Sequence, residues 1–308
     1  MDTSGIVQIA RNGCPGCAEP SPTGKPEFTA AIAPGSVKPS NLATIWASDG
    51  PSECFFDYWR CESCGLLHNA VQLHPELVAD CYSQMNDNTA GEPLHLLRAT
   101  QQRYITAMEE IAPLAGNYLE IGPDIGLATE IAVQRGNFTT VALVEPNKAS
   151  HASLRQVMQS QNTVIVESLS DLDISVQVDR LVLIHVLDHL LFPRKDLLAL
   201  RHRMSDGGLL LVVVHDESSL LRRMLGRRWP PFRLQHPQLF SRRSLTGLLE
   251  STGFSMRSIH ATSNTLSIRH LVRSGFSAIG LEPRWVRRVP EIGLTVRLGN
   301  IAAVAEAA

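Results

Sequence analysis

A chain of 308 residues, 44% hydrophobic and 19% charged with a net charge of −2, is long enough for two domains at roughly 150 residues each. It is neither disordered by composition nor built of repeats. Its longest aliphatic run, residues 209–214, falls far short of the roughly 20 residues that cross a bilayer, and residues 1–10 carry no charged leader before an apolar stretch; a cytoplasmic protein without a membrane partner is expected. The small net charge conceals an asymmetry, because residues 1–221 hold 14 basic and 26 acidic side chains while residues 222–308 hold 14 and 4. A basic C-terminal part attracts an anionic substrate, an acidic carrier or a nucleic acid. A compositional preference for arginine, 24 against 4 lysines, produces the same excess without any partner.

All six cysteines fall within the first 81 residues, four of them in the pairs Cys14-x-x-Cys17 and Cys61-x-x-Cys64. In a reducing compartment that pattern reads as a metal site rather than disulfides. Two intervening residues let one tight turn aim two thiolates at a point, and two such knuckles complete a tetrahedral zinc site with no open position. Gly13, Gly16 and Gly65 supply the backbone freedom those turns need. Residues 54–60 read as a strand leading into the second knuckle. The expectation is a structural zinc ribbon over residues 1–80 with a long insertion. A redox dithiol is the rival, weakened because neither pair stands beside a βαβ pattern. His68 is an alternative ligand, and Cys54 and Cys81 read as ordinary buried thiols.

Apolar residues recurring at helical spacing over 94–114 predict a helix ended by Pro113. Beyond it the elements alternate, with strands expected over 117–121, 139–144, 163–166, 180–185 and 208–214 and helices over 127–134, 148–159 and 194–204. Such alternation predicts an open, mostly parallel α/β sheet that binds its ligands outside the carboxyl ends of the strands. This domain is assigned residues 81–308, with an Arg-rich substrate or lid segment at 218–245. Within its last part, 254–260 reads as a sixth strand, 264–281 as helical or irregular, and 300–305 as a final strand.

The first strand runs into Glu120-Ile-Gly122-Pro-Asp124-Ile-Gly126. Gly122 permits a tight turn and Gly126 a close backbone approach to a ligand, with a helix starting directly behind. A dinucleotide loop requires a middle glycine beside its pyrophosphate. Here Glu120 and Asp124 place negative charge there instead, which suits a ligand with a cationic or hydroxylated end. Glu145, ending the second strand, is placed to accept both hydroxyls of a ribose.

These pieces, in this order, resemble the class I S-adenosylmethionine-dependent methyltransferases, and within them the group with an N-terminal zinc-binding segment. The resemblance covers most of residues 14–255. It runs from the two cysteine knuckles, the second continuing Gly65-Leu66-Leu67, through Tyr82, the 120–126 loop, Glu145 and His185-Val-Leu-Asp-His189. It continues with Gly207-Gly208, His236-x-x-x-Phe240-Ser241 and Leu248-Leu-Glu-x-x-Gly253-Phe254. It implies a Rossmann-like sheet and S-adenosylmethionine held by Glu120, Gly122, Asp124, Gly126, Glu145 and Ser168. It also implies structural zinc on Cys14, Cys17, Cys61 and Cys64. Relatives of this architecture include sugar C- and O-methyltransferases of biosynthetic pathways, which implies a small-molecule acceptor, anionic or carrier-linked. Two positions depart from the family pattern: Asp124 replaces a central glycine, and His215-Asp216-Glu217 stands where Pro-Asn is common.

Methyl transfer needs an aligned nucleophile and, for a hydroxyl or amine, removal of its proton. The candidate bases are His236, His185 and His189, since an imidazole near its ordinary value of about 6.5 suits neutral pH. His185 and His189 flank the end of the fourth strand, and His236 closes a Pro-rich segment, 229–236, that folds over the substrate. Each also has a plain structural reading, as a strand end, a helix cap or a loop anchor. His215 with Asp216 offers a second base pair or a divalent-cation site. Arg222, Arg223, Arg227, Arg228, Arg233, Arg242 and Arg243 either clamp an anionic substrate or form a solvated helix face.

Three functions therefore compete. The first is a small-molecule methyltransferase. The second is a nucleic-acid or protein methyltransferase, disfavoured because residues 1–60 hold only Arg11, Lys25, Lys38 and Arg60 as basic side chains to neutralise phosphates. The third is a non-enzymatic scaffold with a degenerate cofactor pocket.

Overall fold

The computed structural model describes residues 8–20, 24–47, 54–84, 92–158, 162–172, 177–277, 281 and 283–308. Residues 1–7 and residue 159 of the expected helix lie outside them. The first elements are β1 (Gln8–Ala10), α1 (Leu42–Trp46), β2 (Tyr58–Arg60), β3 (Leu67–Asn69), β4 (Val71–Leu73) and α2 (Pro75–Ser83). Then follow α3 (Leu94–Glu109), β5 (Ala115–Ile121), α4 (Leu127–Arg135), β6 (Asn137–Val144), α5 (His151–Val157), β7 (Thr163–Val166), β8 (Val178–Ile184), α6 (Pro193–Arg201) and β9 (Met204–His215). The chain continues through α7 (Leu220–Leu225), β10 (Gln238–Leu239), α8 (Arg242–Glu250), β11 (Phe254–Ser267), α9 (Ile268–Ser277) and β12 (Gly293–Ala307).

Seven strands form one sheet in the order β11-β12-β9-β8-β5-β6-β7. The run from β9 to β7 is parallel throughout, and β12 is antiparallel to both of its neighbours. This is the expected mostly parallel, Rossmann-like architecture. The aliphatic run 209–214 lies in β9, inside the sheet and covered on both faces, which is why it is apolar without interruption. Its side chains alternate between two cores: Leu210, Val212 and Val214 join one, and Leu209, Leu211 and Val213 the other. After β5 the chain builds β6 and β7 on one side and later β8 and β9 on the other. The carboxyl ends of β5 and β8 therefore flank a switch-point crevice.

Several boundaries differ from expectation, and β12 begins at Gly293 rather than at 300. α3 ends at Glu109 rather than reaching 114, because Pro113 disfavours helical backbone in the residue before it and the chain unwinds a turn early. β11 continues to Ser267 rather than stopping at 260, because it pairs with β12 from Phe254↔Ala307 to Ser267↔Gly293. Residues 264–267 are accordingly strand, and the helix of this region begins at Ile268.

The N-terminal elements pack directly on the large sheet. β2 and β3 form a hairpin whose free edge is taken by β10, from more than 160 residues further along, with Gln238 opposite His68 and Leu239 opposite Leu67. Phe55, Tyr58 and Leu67 are buried together with Trp229, Phe232 and Leu239. Cys14, Cys61 and Leu66 join the same core as Leu119, Phe240 and Leu245. Among the described residues no helix is long and apolar enough to cross a membrane.

Phe232 is fully buried, with ring centroids 4.8 to 5.5 Å from those of Phe28, Phe55, Tyr58 and Trp229. Phe232→Ala should therefore lower the unfolding free energy by about 3–5 kcal/mol in a denaturant titration. Limited proteolysis of that variant should cut the 24–58 region before the sheet.

Candidate active site

β5 delivers Glu120 to the crevice, and the loop behind it turns through Gly122 (φ +68°), Asp124 (φ +52°) and Gly126 (φ +87°) into α4. A Cβ on Gly122 would stand 2.8 Å from Val186 Cγ2, so both the turn and its neighbour require glycine. Asp is among the few side chains that tolerate the left-handed region, which explains how Asp124 stands where a glycine is usual. Its amide donates to Glu145 Oε2 at 2.9 Å, and the Asn147 amide donates to Glu145 Oε1 at 2.8 Å. Burial pushes the Glu145 carboxyl up and these two amides partly offset that. The carboxylate is thus held at the end of β6, 6% exposed.

A cavity of about 450 Å³ opens at the carboxyl ends of β5, β8 and β9. Glu120, Gly122 and Asp124 line one wall, and His185, His189, His215 and His236 the other. Of the remaining expected cofactor contacts, Gly126 ends the loop and Glu145 ends β6, and neither is among the residues that line the cavity. Ser168, beyond β7, is bonded to Ser170 and Asp171 at 2.6 and 2.8 Å and lies away from the cavity wall.

The three expected bases do come together. His185 ends β8 in a left-handed conformation (φ +52°), a strained geometry for a non-glycine residue and one that clusters at functional sites. His236 Nδ1 lies 2.6 Å from the Pro231 carbonyl, which can only accept, so Nδ1 carries the proton and Nε2 the lone pair. That Nε2 is 3.1 Å from His189 Nε2, and His189 Nδ1 is 2.7 Å from Tyr82 Oη. With Tyr82 donating, one continuous chain runs Tyr82 to His189 to His236 to Pro231, and every member is satisfied.

At the centre of this group Asp188 is fully buried. Burial alone would raise it, but His189 and His215, then His236 and His185, hold it below its ordinary range. Burial, reinforced by His215, lowers His185 to about 3. It likewise lowers His189, and it lowers His236 well below 6.5 with His189 and His215 adding to the effect. The candidate bases are therefore neutral, lone-pair-bearing imidazoles at neutral pH rather than groups near their ordinary value.

Tyr82 and Asp188 stand within the sequence motifs, which assign neither of them a role. Their signal was only position within a motif, because the contact from Tyr82 to His189 spans 107 residues. His215 does meet a carboxylate, but it is Asp188, 4.0 Å away. Asp216 instead accepts from the amide of Ser218 at 2.9 Å and from its hydroxyl. Glu217 is paired with Arg60 at 2.8 Å. The His215–Asp216 pairing is thus replaced. Of the seven arginines between 222 and 243, Arg233 alone lines the cavity; Arg222 pairs with Glu217, and Arg223, Arg227, Arg228, Arg242 and Arg243 are exposed.

The four knuckle cysteines converge, with Cys14 Sγ 3.6 Å from Cys64 Sγ, Cys17 Sγ 3.5 Å from Cys61 Sγ, and all four sulfurs within 4.8 Å of one another. Tetrahedral Zn–S bonds of about 2.3 Å separate sulfurs by about 3.8 Å, so one ion fits. The approach depends on Gly16, whose Cβ would stand 3.0 Å from Leu66 Cδ2 and 3.6 Å from Cys64 Sγ. The contact with Cys64 and burial push the Cys14 thiol up, partly offset by the backbone amides of Cys17 and Gly16, while the same contact, aided by the Leu66 amide, pulls the Cys64 thiol down against its burial. His68 is fully buried outside this group and Cys54 is buried in a separate apolar cluster, against which the half-buried Cys81 packs.

Glu120 is 2% exposed and accepts hydrogen bonds from Tyr118 and Thr129, yet burial raises it to about 7. Because the folded value lies above the unfolded one, its contribution to stability is full below about pH 4.5 and is lost as pH rises through about 7. Glu120→Gln should match the parent near pH 4.5 and exceed it above pH 7.5 by on the order of 3 kcal/mol, read from thermal and denaturant unfolding across that range.

No functionally curated protein matches this chain. A family model described as a methyltransferase domain matches residues 94–259, more than half of the chain. Among solved structures, a chain from the complex of the Haloferax volcanii Trm112 methyltransferase activator with a methyltransferase is 13% identical, over 68% of this chain and 90% of that one, with a TM-score of 0.51. A chain from Bacillus halodurans described as a methyltransferase is 12% identical over 66% and 98%, with a TM-score of 0.49. The N-methyltransferase NodS of Bradyrhizobium japonicum, solved with S-adenosyl-l-homocysteine, is 12% identical over 74% and 96%, with a TM-score of 0.48. At such identities the likeness is one of fold. The family match rests on the segment that carries the glycine loop, Glu145 and the His185–His189 turn, and the chain belongs to the methyltransferase-domain family, as a class I S-adenosylmethionine-dependent methyltransferase.

Proposed function

We propose that the protein methylates a small-molecule acceptor of a biosynthetic pathway, a sugar, nucleotide-linked sugar or natural-product intermediate, with His236 taking the acceptor's proton. The observation that carries this reading is that a cavity of about 450 Å³ is lined both by the Glu120–Asp124 loop and by the His189–His236 pair. The segment that closes it is tied down rather than free. Tyr58 donates to the His236 carbonyl, Gln235 to the Trp46 carbonyl, and Arg233 to the Ala47 carbonyl at 3.2 Å. Such a wall suits a compact acceptor better than a polymer. Arg60, one of the few basic residues of the N-terminal part, is engaged by Glu27 and Glu217, and Arg233 on the cavity wall suits an acceptor with an anionic end.

Glu120, Gly122, Asp124, Gly126, Glu145 and Ser168 are the residues proposed to hold the donor, with Glu145 on the ribose hydroxyls. When bound, S-adenosylmethionine supplies an electrophilic methyl group on a sulfonium. His236 Nε2 would receive the proton that the acceptor gives up on taking the methyl group, the carbon–sulfur bonding pair staying with the sulfur. The Pro231 carbonyl fixes the tautomer that puts the lone pair on Nε2, where it accepts from His189 Nε2, so the acceptor's hydroxyl or amine has to displace that bond to pass its proton on, and the buried Asp188 stabilises the imidazolium that results. Zinc on Cys14, Cys17, Cys61 and Cys64 is proposed as a structural staple, in keeping with cysteines kept reduced in the cytoplasm.

Calorimetric titration with S-adenosylmethionine should show binding that weakens at least about tenfold in Glu145→Ala, in line with the loss of a bidentate charged contact. His236→Asn should keep donor affinity while lowering turnover of a cognate acceptor by roughly 10²–10⁴. Absence of donor binding would instead favour the scaffold reading. A gel shift that weakens steeply with salt would favour a nucleic-acid acceptor.

A further inference from the structure

The chain Tyr82–His189–His236–Pro231 is complete in itself, but the other half of the histidine cluster is not. His215 Nδ1 lies 3.0 Å from Asn300 Oδ1, the Asn300 amide nitrogen donates to Asn264 Oδ1 at 3.0 Å, and the Asn264 amide nitrogen donates to Tyr104 Oη at 3.1 Å. This relay commits the Asn300 oxygen to face His215, so His215 donates from Nδ1 and its Nε2 carries a lone pair. That nitrogen lies 4.0 Å from Asp188 Oδ2, which accepts from the His215 backbone amide at 3.3 Å. Beside them Asp188 Oδ1, on a residue with no exposure at all, has no hydrogen-bond partner, and neither has the buried His185 Nδ1.

A buried carboxylate oxygen left without a hydrogen-bond partner costs several kcal/mol unless a cation joins it. His185, Asp188 and His215 each offer a ligand atom, all within 4.8 Å of one another. Two imidazoles and one carboxylate form the donor set that borderline divalent metals prefer, with positions left open for water or substrate. The Nδ1–H of His215 on a side-chain carbonyl is the outer-sphere contact that usually orients a metal-bound histidine.

We propose that His185, Asp188 and His215 bind a divalent transition-metal ion, zinc or iron(II) in class, whose open positions face the cavity and take an oxygen of the acceptor. Bonds of about 2.1 Å bring tetrahedral ligands to about 3.4 Å from one another, so the three side chains close in by roughly an ångström when loaded. On the acceptor side, the ion lowers the affinity of a bound hydroxyl for its proton, which suits His236 on the same cavity wall as the group that receives it. That catalytic role rests on the methyl-transfer reading, whereas binding of the ion does not.

Cobalt(II) distinguishes the two metal sites, because thiolate ligands give an intense charge-transfer absorption that nitrogen and oxygen ligands lack. Full-length protein stripped with chelator and titrated with cobalt should bind two equivalents, one with the thiolate band and one without. His215→Gln should lose only the second equivalent, and Cys64→Ser should lose the thiolate band. Asn300→Ala should weaken the second site by roughly 10–100-fold, a change that simple misfolding does not give while the thiolate equivalent is retained. His236→Asn should bind both. One equivalent only in the parent, or a second equivalent that survives His215→Gln, overturns the proposal. Loss of the second equivalent in His236→Asn but not in His215→Gln assigns the ion to different ligands and overturns it equally. Because cobalt binding is read without donor or acceptor, its failure leaves methyl transfer untouched, and failed donor binding leaves the metal result standing.

Discussion

The cavity depends on one packing interface, in which Trp229 and Phe232 from the segment before β10 are buried against Phe55, Tyr58 and Leu67 of the N-terminal hairpin. That segment carries Arg233, Gln235 and His236 into the cavity, and no regular element of its own holds it there. Proline-rich backbone offers few internal hydrogen bonds, so its position has to come from outside. Large buried aromatic surfaces supply it, each worth a few kcal/mol, and the Tyr58, Trp46 and Ala47 contacts set its register. The hairpin that provides this surface is in turn anchored by the cysteine knuckles, since Cys14, Cys61 and Leu66 sit in the same core as the large sheet. A change at the sulfurs is therefore felt at His236, although the two are far apart in sequence.

The second organising constraint is electrostatic. Asp188 is buried without exposure among four imidazoles, an arrangement in which the carboxylate needs positive charge nearby and the imidazoles resist acquiring it. The two hydrogen-bond relays resolve this differently. The Tyr82 relay satisfies its histidines internally, while the Tyr104–Asn264–Asn300 relay takes up His215 Nδ1 and leaves its Nε2 4.0 Å from the carboxylate. A single carboxylate thus stands between a proposed base and a proposed metal site, and its Oδ1 and Oδ2 face different partners, His189 and His215.

Much of the fold was legible because it is local. The alternation of elements predicts the parallel sheet, the aliphatic run 209–214 marks its most covered strand, and two C-x-x-C pairs announce a four-sulfur site, since spacing alone decides how two thiolates leave a turn. The loop Glu120–Gly126 was legible for the same reason, as positive φ at Gly122 and Gly126 is a property of the backbone there. Less was legible where partners come from afar. β11 was read short because nothing in residues 261–267 says that β12 lies beside them, and β10 was missed because two residues acquire strand form only against Leu67 and His68.

The amino-acid sequence by itself determined the class of fold, the cysteine quartet, the Glu120–Gly126 turn and which histidines are candidates, all of which follow from spacing, turn geometry and strand ends. Only the tertiary structure decided how those histidines are paired. It gave His215 to Asp188 rather than to the adjacent Asp216, gave Tyr82 to His189, and singled out Arg233 from seven arginines. Neighbours in a loop are free to point apart, whereas burial leaves each polar atom only the partners that packing brings within reach.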